Sequence, residues 1–199
     1  GSWGRINASA QADRNDVYYG TAASSYRTFP RINVTASDAP MTPLKIYIGG
    51  SVEAVNFARF DDVDDPDTRS TMFRTDGRVS MRRTLSMGPA LTLTPSVSAR
   101  RTEWNARQDP ETRERIEAPI TRELFEAQLV MSGPVFSRVF NTEGNRWVER
   151  FKHVIEPSVS VKRVSAFDAF DEVIPFDPGV DTIVGGVTQV SYGIRNTLH

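Results

Sequence analysis

The chain has 199 residues, with 24 Lys and Arg against 25 Asp and Glu, and the resulting net charge of −1 excludes the broad positive field that general nucleic-acid binding needs. There is no cysteine, which excludes a disulfide framework, a thiolate nucleophile and a Cys-based zinc site. Hydrophobic residues make up 39%, mean hydropathy is −0.38, and no stretch approaches the roughly 18 apolar residues of a membrane helix; this profile fits a soluble domain or a transmembrane β-barrel, whose strands give only alternate residues to lipid.

In chain order, the opening Gly1-Ser2-Trp3-Gly4-Arg5 lacks the basic and apolar regions of a signal peptide, as expected of a cytoplasmic, processed or excised chain. Alternation of apolar and polar residues then marks about eight segments as strands with two chemically different faces, near 2–13, 29–37, 43–58, 73–86, 90–103, 120–132, 148–163 and 181–197. Leu91 to Arg100 shows it most clearly, every odd position being apolar or Pro and every even one polar; Ile155 to Lys162 repeats the pattern. Many of these segments reach the roughly 9–11 residues with which a tilted strand crosses a bilayer. The third changes parity midway, from Leu44, Ile46 and Ile48 to Val55 and Phe57, which predicts a bulge near Gly49-Gly50. Residues 111–117 are charged all round and read as loop.

The connections alternate in length: long (14–28), short (38–42), long (59–72), short (87–89), long (104–119), medium (133–147) and long (164–180). Outer-membrane barrels sort their loops this way, with long extracellular loops and short periplasmic turns. The expected fold is therefore all-β, an antiparallel up-and-down meander of about eight long strands over residues 1–199, forming one segment of a large transmembrane barrel and an open curved sheet in isolation.

Candidate chemistry is sparse. The acidic run Asp61–Asp67 offers hard oxygens for a cation, yet Pro66 stands where an EF-hand needs Gly and Met72 where it needs Glu, so it reads as a solvated loop with at most weak cation binding. His153 and Glu156 fall on opposite faces of one strand, while Glu126 and Glu156 share the polar parity and would need to lie roughly 5–10 Å apart to act as a glycosidase pair. Trp3, Tyr18, Tyr19, Phe29, Trp104, Phe125, Trp147, Phe151 and Tyr192 cluster towards strand ends, the place of an interfacial girdle as well as of ordinary core or loop aromatics. Arg83 stands on the apolar parity between Met81 and Leu85 and is expected at an interface or a bulge.

Four pieces in order, Phe136-Ser137-Arg138-Val139-Phe140, Arg150 to Pro157, Ile174-Pro175-Phe176-Asp177 and Tyr192 to Asn196, resemble the barrel domain of the lipopolysaccharide-assembly family LptD, the organic-solvent-tolerance proteins. Phe29-Pro30-Arg31-Ile32 and the Leu44–Phe57 strand resemble an earlier part of the same barrel; residues 1–28 and 104–119 add little. The resemblance implies a Gram-negative outer-membrane barrel that releases lipopolysaccharide into the outer leaflet through a lateral opening. Its implied partners are lipopolysaccharide, an LptE-like lipoprotein plug in the lumen, a periplasmic LptA-like bridge acting through a domain not found in this chain, and membrane lipid. It implies no enzymatic activity, cofactor or metal, and a central portion of the barrel. Under it, His153, Glu156 and Pro157 lie on a strand just after a periplasmic turn and Ile174 to Asp177, with Pro175 and Phe176, in an extracellular loop, and Arg138 is a further motif position. These are fold-fixing or lumen positions, with Glu156 foremost inside the lumen, where Lys162, Glu126, Arg82 and Arg100 also face. Two rivals stand beside it: a complete eight-stranded barrel that binds a lipid or small ligand, which requires strands 2–13 and 181–197 to pair, and a soluble β-sandwich enzyme acting on carbohydrate.

Overall fold

The computed structural model of the chain describes residues 1–19, 22–41, 43–61, 69–88, 90–141, 143–144 and 150–198. It contains strands β1 (Ser2–Trp3), β2 (Ile6–Tyr19), β3 (Ala22–Met41), β4 (Ile46–Phe60), β5 (Arg69–Arg83), β6 (Leu85–Met87), β7 (Leu91–Trp104), β8 (Arg107–Gln108), β9 (Arg115–Ile116), β10 (Ile120–Ser132), β11 (Phe136–Asn141), β12 (Arg150–Val164) and β13 (Thr188–Leu198). One antiparallel sheet runs β1-β2-β3-β4-β5-β7-β10-β12, with β13 on the far side of β12. β6 prolongs β5 along β7, and β11 prolongs β10 along β12, so the meander has eight long strands. β8 and β9 make a separate small hairpin within the connection from β7 to β10.

The sheet is open. β2 and β13 do not pair with each other, so the complete eight-stranded ring is not formed. Sequence alternation locates the strands well where one face is apolar, and less well elsewhere. Residues 14–28, expected as a long loop, are largely strand: the β2–β3 ladder continues from Asp13↔Thr28 to Tyr19↔Ala22. Its cross-strand contacts are polar, such as Ser25 Oγ donating to Asp16 at 2.5 Å and Thr28 Oγ1 to Asp13 at 3.3 Å, and a ladder polar on both faces has no hydropathy period. The turn expected at 38–42 falls later, with Lys45 at φ 53° just before β4. At the other end, β13 begins at Thr188 and not near 181, because the carbonyls of Val180, Asp181 and Ile183 are taken by the Arg122 guanidinium.

The bulge expected in β4 is absent from it. The β4–β5 register is continuous from Ile46↔Arg83 to Phe60↔Arg69, and the irregularity lies in β3, where Ser37 and Asp38 stand opposite Gly49 between the pairs Ala36↔Gly50 and Ala39↔Ile48. Ile46, Ile48 and Val52 share one face of β4 and Val55 and Phe57 the other, so the apolar residues truly change sides. The outer face is apolar along the lower half, from Ile46 to Val52, and the inner face along the upper half, where the connection from β12 to β13 covers Val55 and Phe57. Arg83 ends β5, and the register carries it opposite Pro95, which has no N–H to give the ladder.

Residues 165–187 fold back over one face of the sheet, here the inner face. Val173 is buried with Val55, Phe57, Met72, Trp104 and Ile120, and Phe167, Ile174 and Phe176 pack around them. Tyr26, Phe57 and Phe176 form a tilted aromatic cluster with ring centroids 5.5–6.4 Å apart. Burying such side chains contributes roughly 1.5–3 kcal/mol each, enough to fix a long connection that has little regular structure beyond one 3-10 turn at Phe170–Glu172.

At the opposite end, Gly133 joins β10 to β11 with φ +105°, its N–H donating to the Pro157 carbonyl at 2.8 Å. A Cβ there would lie 2.0 Å from the Ala90 carbonyl oxygen. Gly133→Ala is therefore expected to destabilise the sheet by about 2 kcal/mol or more, combining left-handed strain with a backbone collision, measurable as a lower urea midpoint in detergent.

Candidate functional site: the sealed inner face

The inner face divides into two zones. Towards the long connections, β4, β5, β7 and β10 aim charged side chains into the space closed by residues 165–187. Arg74 is fully buried; its Nη1 donates to Asp181 Oδ1 at 2.8 Å, and its Nη2 reaches Asp177 at 3.2 Å and the Glu53 carboxylate. Arg31 spans Asp177 at 3.2 Å and Glu53 at 3.7 Å. Asp181, 1% exposed, also accepts from Trp104 Nε1 at 3.1 Å and from the backbone N–H groups of Phe176 and Asp177 at 2.9 and 2.7 Å.

Arg122, also fully buried, has a different environment. Its Nη2 donates to Val180 O at 2.9 Å and Thr102 Oγ1 at 3.2 Å, its Nη1 to the Asp181 and Ile183 carbonyls, and its guanidinium lies 5.0 Å from the Trp104 ring centroid. Thr102 passes the chain on to Asp76 at 2.7 Å, which Arg100 meets at 2.8 Å. The register explains the convergence, since Arg74↔Trp104↔Ile120 and Asp76↔Thr102↔Arg122 are successive cross-strand rows on one face.

Asp177 lies in the loop. Burial pushes its carboxyl up, but the charges of Arg74 and Arg31 and the Gly179 N–H outweigh burial and hold it below the ordinary carboxylate range. A lowered folded-state pKa adds stability above the unfolded value, which is lost as pH falls through the folded one. The loop is thus expected to stay docked at neutral pH and to loosen as pH drops from about 4 downward. Acrylamide quenching of Trp104 in a Trp3→Phe, Trp147→Phe background reads this directly.

Below this zone the inner face is open and polar. Lys162 pairs with Glu126 at 2.8 Å, Arg78 approaches the same carboxylate at 3.7 Å, and Arg82 meets Asp38 at 2.6 Å. The expected inward residues Arg82, Arg100, Glu126 and Lys162 do share this face. Glu126 is opposite Val164, eight residues along β12 from Glu156, which at about 3.3 Å per residue separates the two carboxylates by roughly 26 Å. They cannot act as a glycosidase pair.

The motif positions fall in two places. Arg138 and His153 are register partners on β11 and β12, Glu156 faces Arg195 of β13 at 4.0 Å, and the Pro157 carbonyl anchors Gly133; all lie near the short-turn end. Pro175, Phe176 and Asp177 sit at the other end in the sealed loop, where the Phe176 carbonyl accepts the Tyr26 hydroxyl at 2.8 Å. The structure does not bring the two groups together. Glu53, Arg74, Arg122 and Asp181 escaped sequence reasoning, and Arg31 and Trp104 entered it only as part of a motif and as a strand-end aromatic; the available signal was apolar parity on the inward side at Val55 and Phe57 beside a long connection rich in Phe and Pro.

The outer face is apolar across the lower strands. Rows such as Ile48↔Met81↔Val97↔Ala127 and Leu93↔Met131↔Val159↔Tyr192 leave apolar side chains largely uncovered. From Leu91 to Ala99, β7 runs roughly 27 Å, which a tilt of about 40° turns into roughly 21 Å of height, near the ~25 Å of a barrel's apolar band. Above the band the face becomes ionic, with Arg101 bridging Glu103 at 2.5 Å and Glu123 at 2.9 Å, and Phe125, 63% exposed, stands at the boundary. Trp3, Tyr18, Phe29 and Tyr192 are exposed, whereas Trp104 belongs to the core and not to a girdle; Phe151 stacks on Phe140 at 4.9 Å. The Tyr19 side chain, Trp147 and residues 62–67 of the acidic run lie outside the described residues; Asp61 pairs with Arg59 at 2.8 Å. Among the described residues no helix is long and apolar enough to cross a membrane, which leaves crossing by strands open. No protein-family model and no curated protein matches the chain.

Proposed function

We propose that this chain forms part of the wall of a Gram-negative outer-membrane β-barrel of the LptD type, a non-enzymatic transporter that delivers lipopolysaccharide to the outer leaflet. The observation that carries the reading is the division of one sheet into an unpartnered apolar outer face and a polar inner face, the latter capped by the loop that holds Ile174-Pro175-Phe176-Asp177. Exposed apolar surface on this scale marks an interaction with lipid or protein. The polar inner zone around Arg78, Arg82, Glu126 and Lys162 suits hydrated sugar and phosphate groups or an LptE-like lipoprotein in the lumen, and the periplasmic LptA-like bridge would act through another domain.

The test is refolding into vesicles of outer-membrane phospholipid with and without lipopolysaccharide, using chains that carry a photoreactive side chain at Gln128 (inner) or Leu129 (outer). Insertion with protease protection, lipid crosslinks at Leu129 and lipopolysaccharide crosslinks at Gln128 are expected. A chain that stays soluble and cooperatively folded without detergent overturns the membrane reading. Insertion without any lipopolysaccharide crosslink overturns the substrate alone.

A further inference from the structure

Arg138 and His153 take no part in the function proposed above. The register places both on the outer face: Phe136↔Ile155↔Asn196 and Arg138↔His153↔Leu198 are rows that continue, on the same parity of β12, below Pro157, Val159 and Val161. Phe140↔Phe151 is the next row towards the turn, its rings stacked with centroids 4.9 Å apart, and the Arg138 guanidinium lies 5.0 Å from the Phe140 centroid. Phe136, Arg138 and Leu198 are exposed and His153 is half-buried. Two strong hydrogen-bond donors thus stand on an aromatic platform at the short-turn end of a surface that is otherwise apolar.

Depth decides what such a platform meets. The apolar outward positions of β12, Ile155 to Val161, centre on Ser158. His153 is five residues nearer the turn, roughly 16 Å along the strand and, at a tilt of about 40°, roughly 13 Å in height. Half of the ~25 Å apolar band of a barrel is about the same distance, so the platform lies at the lower rim of the band, where the ester and phosphate groups of a lipid leaflet begin.

The side chains select the headgroup. A guanidinium offers a planar fork that matches two oxygens of a phosphodiester, an imidazole adds a further N–H, and the ring faces accept glycerol and acyl carbons. A headgroup that also carries an ammonium would need an acceptor for it, and among the described residues these three rows contain no carboxylate.

We infer that Arg138 and His153, on the platform of Phe136, Phe140 and Phe151, bind the phosphodiester of an anionic glycerophospholipid in the leaflet at the short-turn end. The site exists only if the sheet is a membrane wall, as proposed above, and it is independent of the cargo.

Quenching by brominated lipids tests it. The full chain carrying Trp3→Phe and Trp147→Phe, with Phe136→Trp as reporter and Trp104 left buried on the inner face, is refolded into phosphatidylcholine vesicles containing increasing fractions of dibrominated phosphatidylglycerol or dibrominated phosphatidylcholine. The inserted, protease-protected chain is expected to prefer phosphatidylglycerol at the reporter at least about fivefold, as one partly exposed charge-assisted pair provides. Arg138→Gln with His153→Gln should bring the two lipids to within about twofold of each other, and Arg138→Gln alone, at an exposed position, should remove about half of the preference or more. Lys152→Gln, a loss of charge one residue away on the inner face, should leave it unchanged. Variants are compared where circular dichroism and protease protection match the parent. Failure of the chain to insert overturns the wall and this site together. Insertion with equal quenching by the two lipids, a preference that survives the double variant, or one lost equally in Lys152→Gln or to excess inorganic phosphate overturns the site alone.

Discussion

Asp181→Ala is expected to release residues 165–187 from the sheet, weakening their docking by about 3 kcal/mol, or roughly a hundredfold in the docked population. The substitution removes a carboxylate that accepts four hydrogen bonds and leaves Arg74, fully buried, with Glu53 and Asp177 only. Breaking one side of a buried pair costs more than the pair is worth, because the remaining charge keeps its desolvation penalty. The readout is Trp104: its indole N–H loses its acceptor and its 1% exposure rises, giving a red-shifted, quenchable emission in the single-tryptophan background. A companion variant, Arg74→Met with Asp181→Leu, removes both charges and should recover most of the shielding. If the double change is as exposed as Asp181→Ala, the ion pair is not what holds the loop.

The second large effect is expected from neighbouring residues on opposite faces of β10. Leu129 sits in the outer row Pro95↔Leu129↔Val161↔Val190, whereas Gln128 stands between Ser96 and Lys162 on the inner side. Leu129→Arg should cost about 2–4 kcal/mol of folding free energy in phospholipid vesicles, the penalty of an arginine at mid-membrane depth, and Gln128→Arg less than about 1 kcal/mol. Urea titration of vesicle-inserted chains measures both. Equal costs would mean that the two faces see the same solvent, and the apolar band would then need a protein partner.

These two variants also show how much of the molecule its sequence revealed. Wherever one face meets an apolar environment and the other a polar one, alternation located the strand and oriented it, as for Leu129 against Gln128. Where both faces are polar, as in the Asp13–Thr28 part of the β2–β3 hairpin, periodicity vanished and strand read as loop. Where a distant segment covers the inner face, as over Val55 and Phe57, an apolar residue on the polar side looked like a change of register. The motif Pro175-Phe176-Asp177 was visible as a motif, but its anchors were not. Arg74 and Arg122 carried no distinguishing signal, and Asp181 read as part of a strand, because nothing in local spacing indicates that residues more than 100 positions apart will meet, as Arg74 and Asp181 do.

The reach of that loop has a mechanical consequence. It leaves the sheet at β12, returns at β13, and in between fastens to β3 through Tyr26 and Arg31. β3 and β12 are five strand spacings apart, roughly 24 Å measured along the sheet. A tether that crosses directly is shorter than the arc it spans, so it acts as a bowstring and sets how tightly the wall bends. Loosening two carboxylates at one mouth would let the arc relax and move β12 relative to β3 along its whole length.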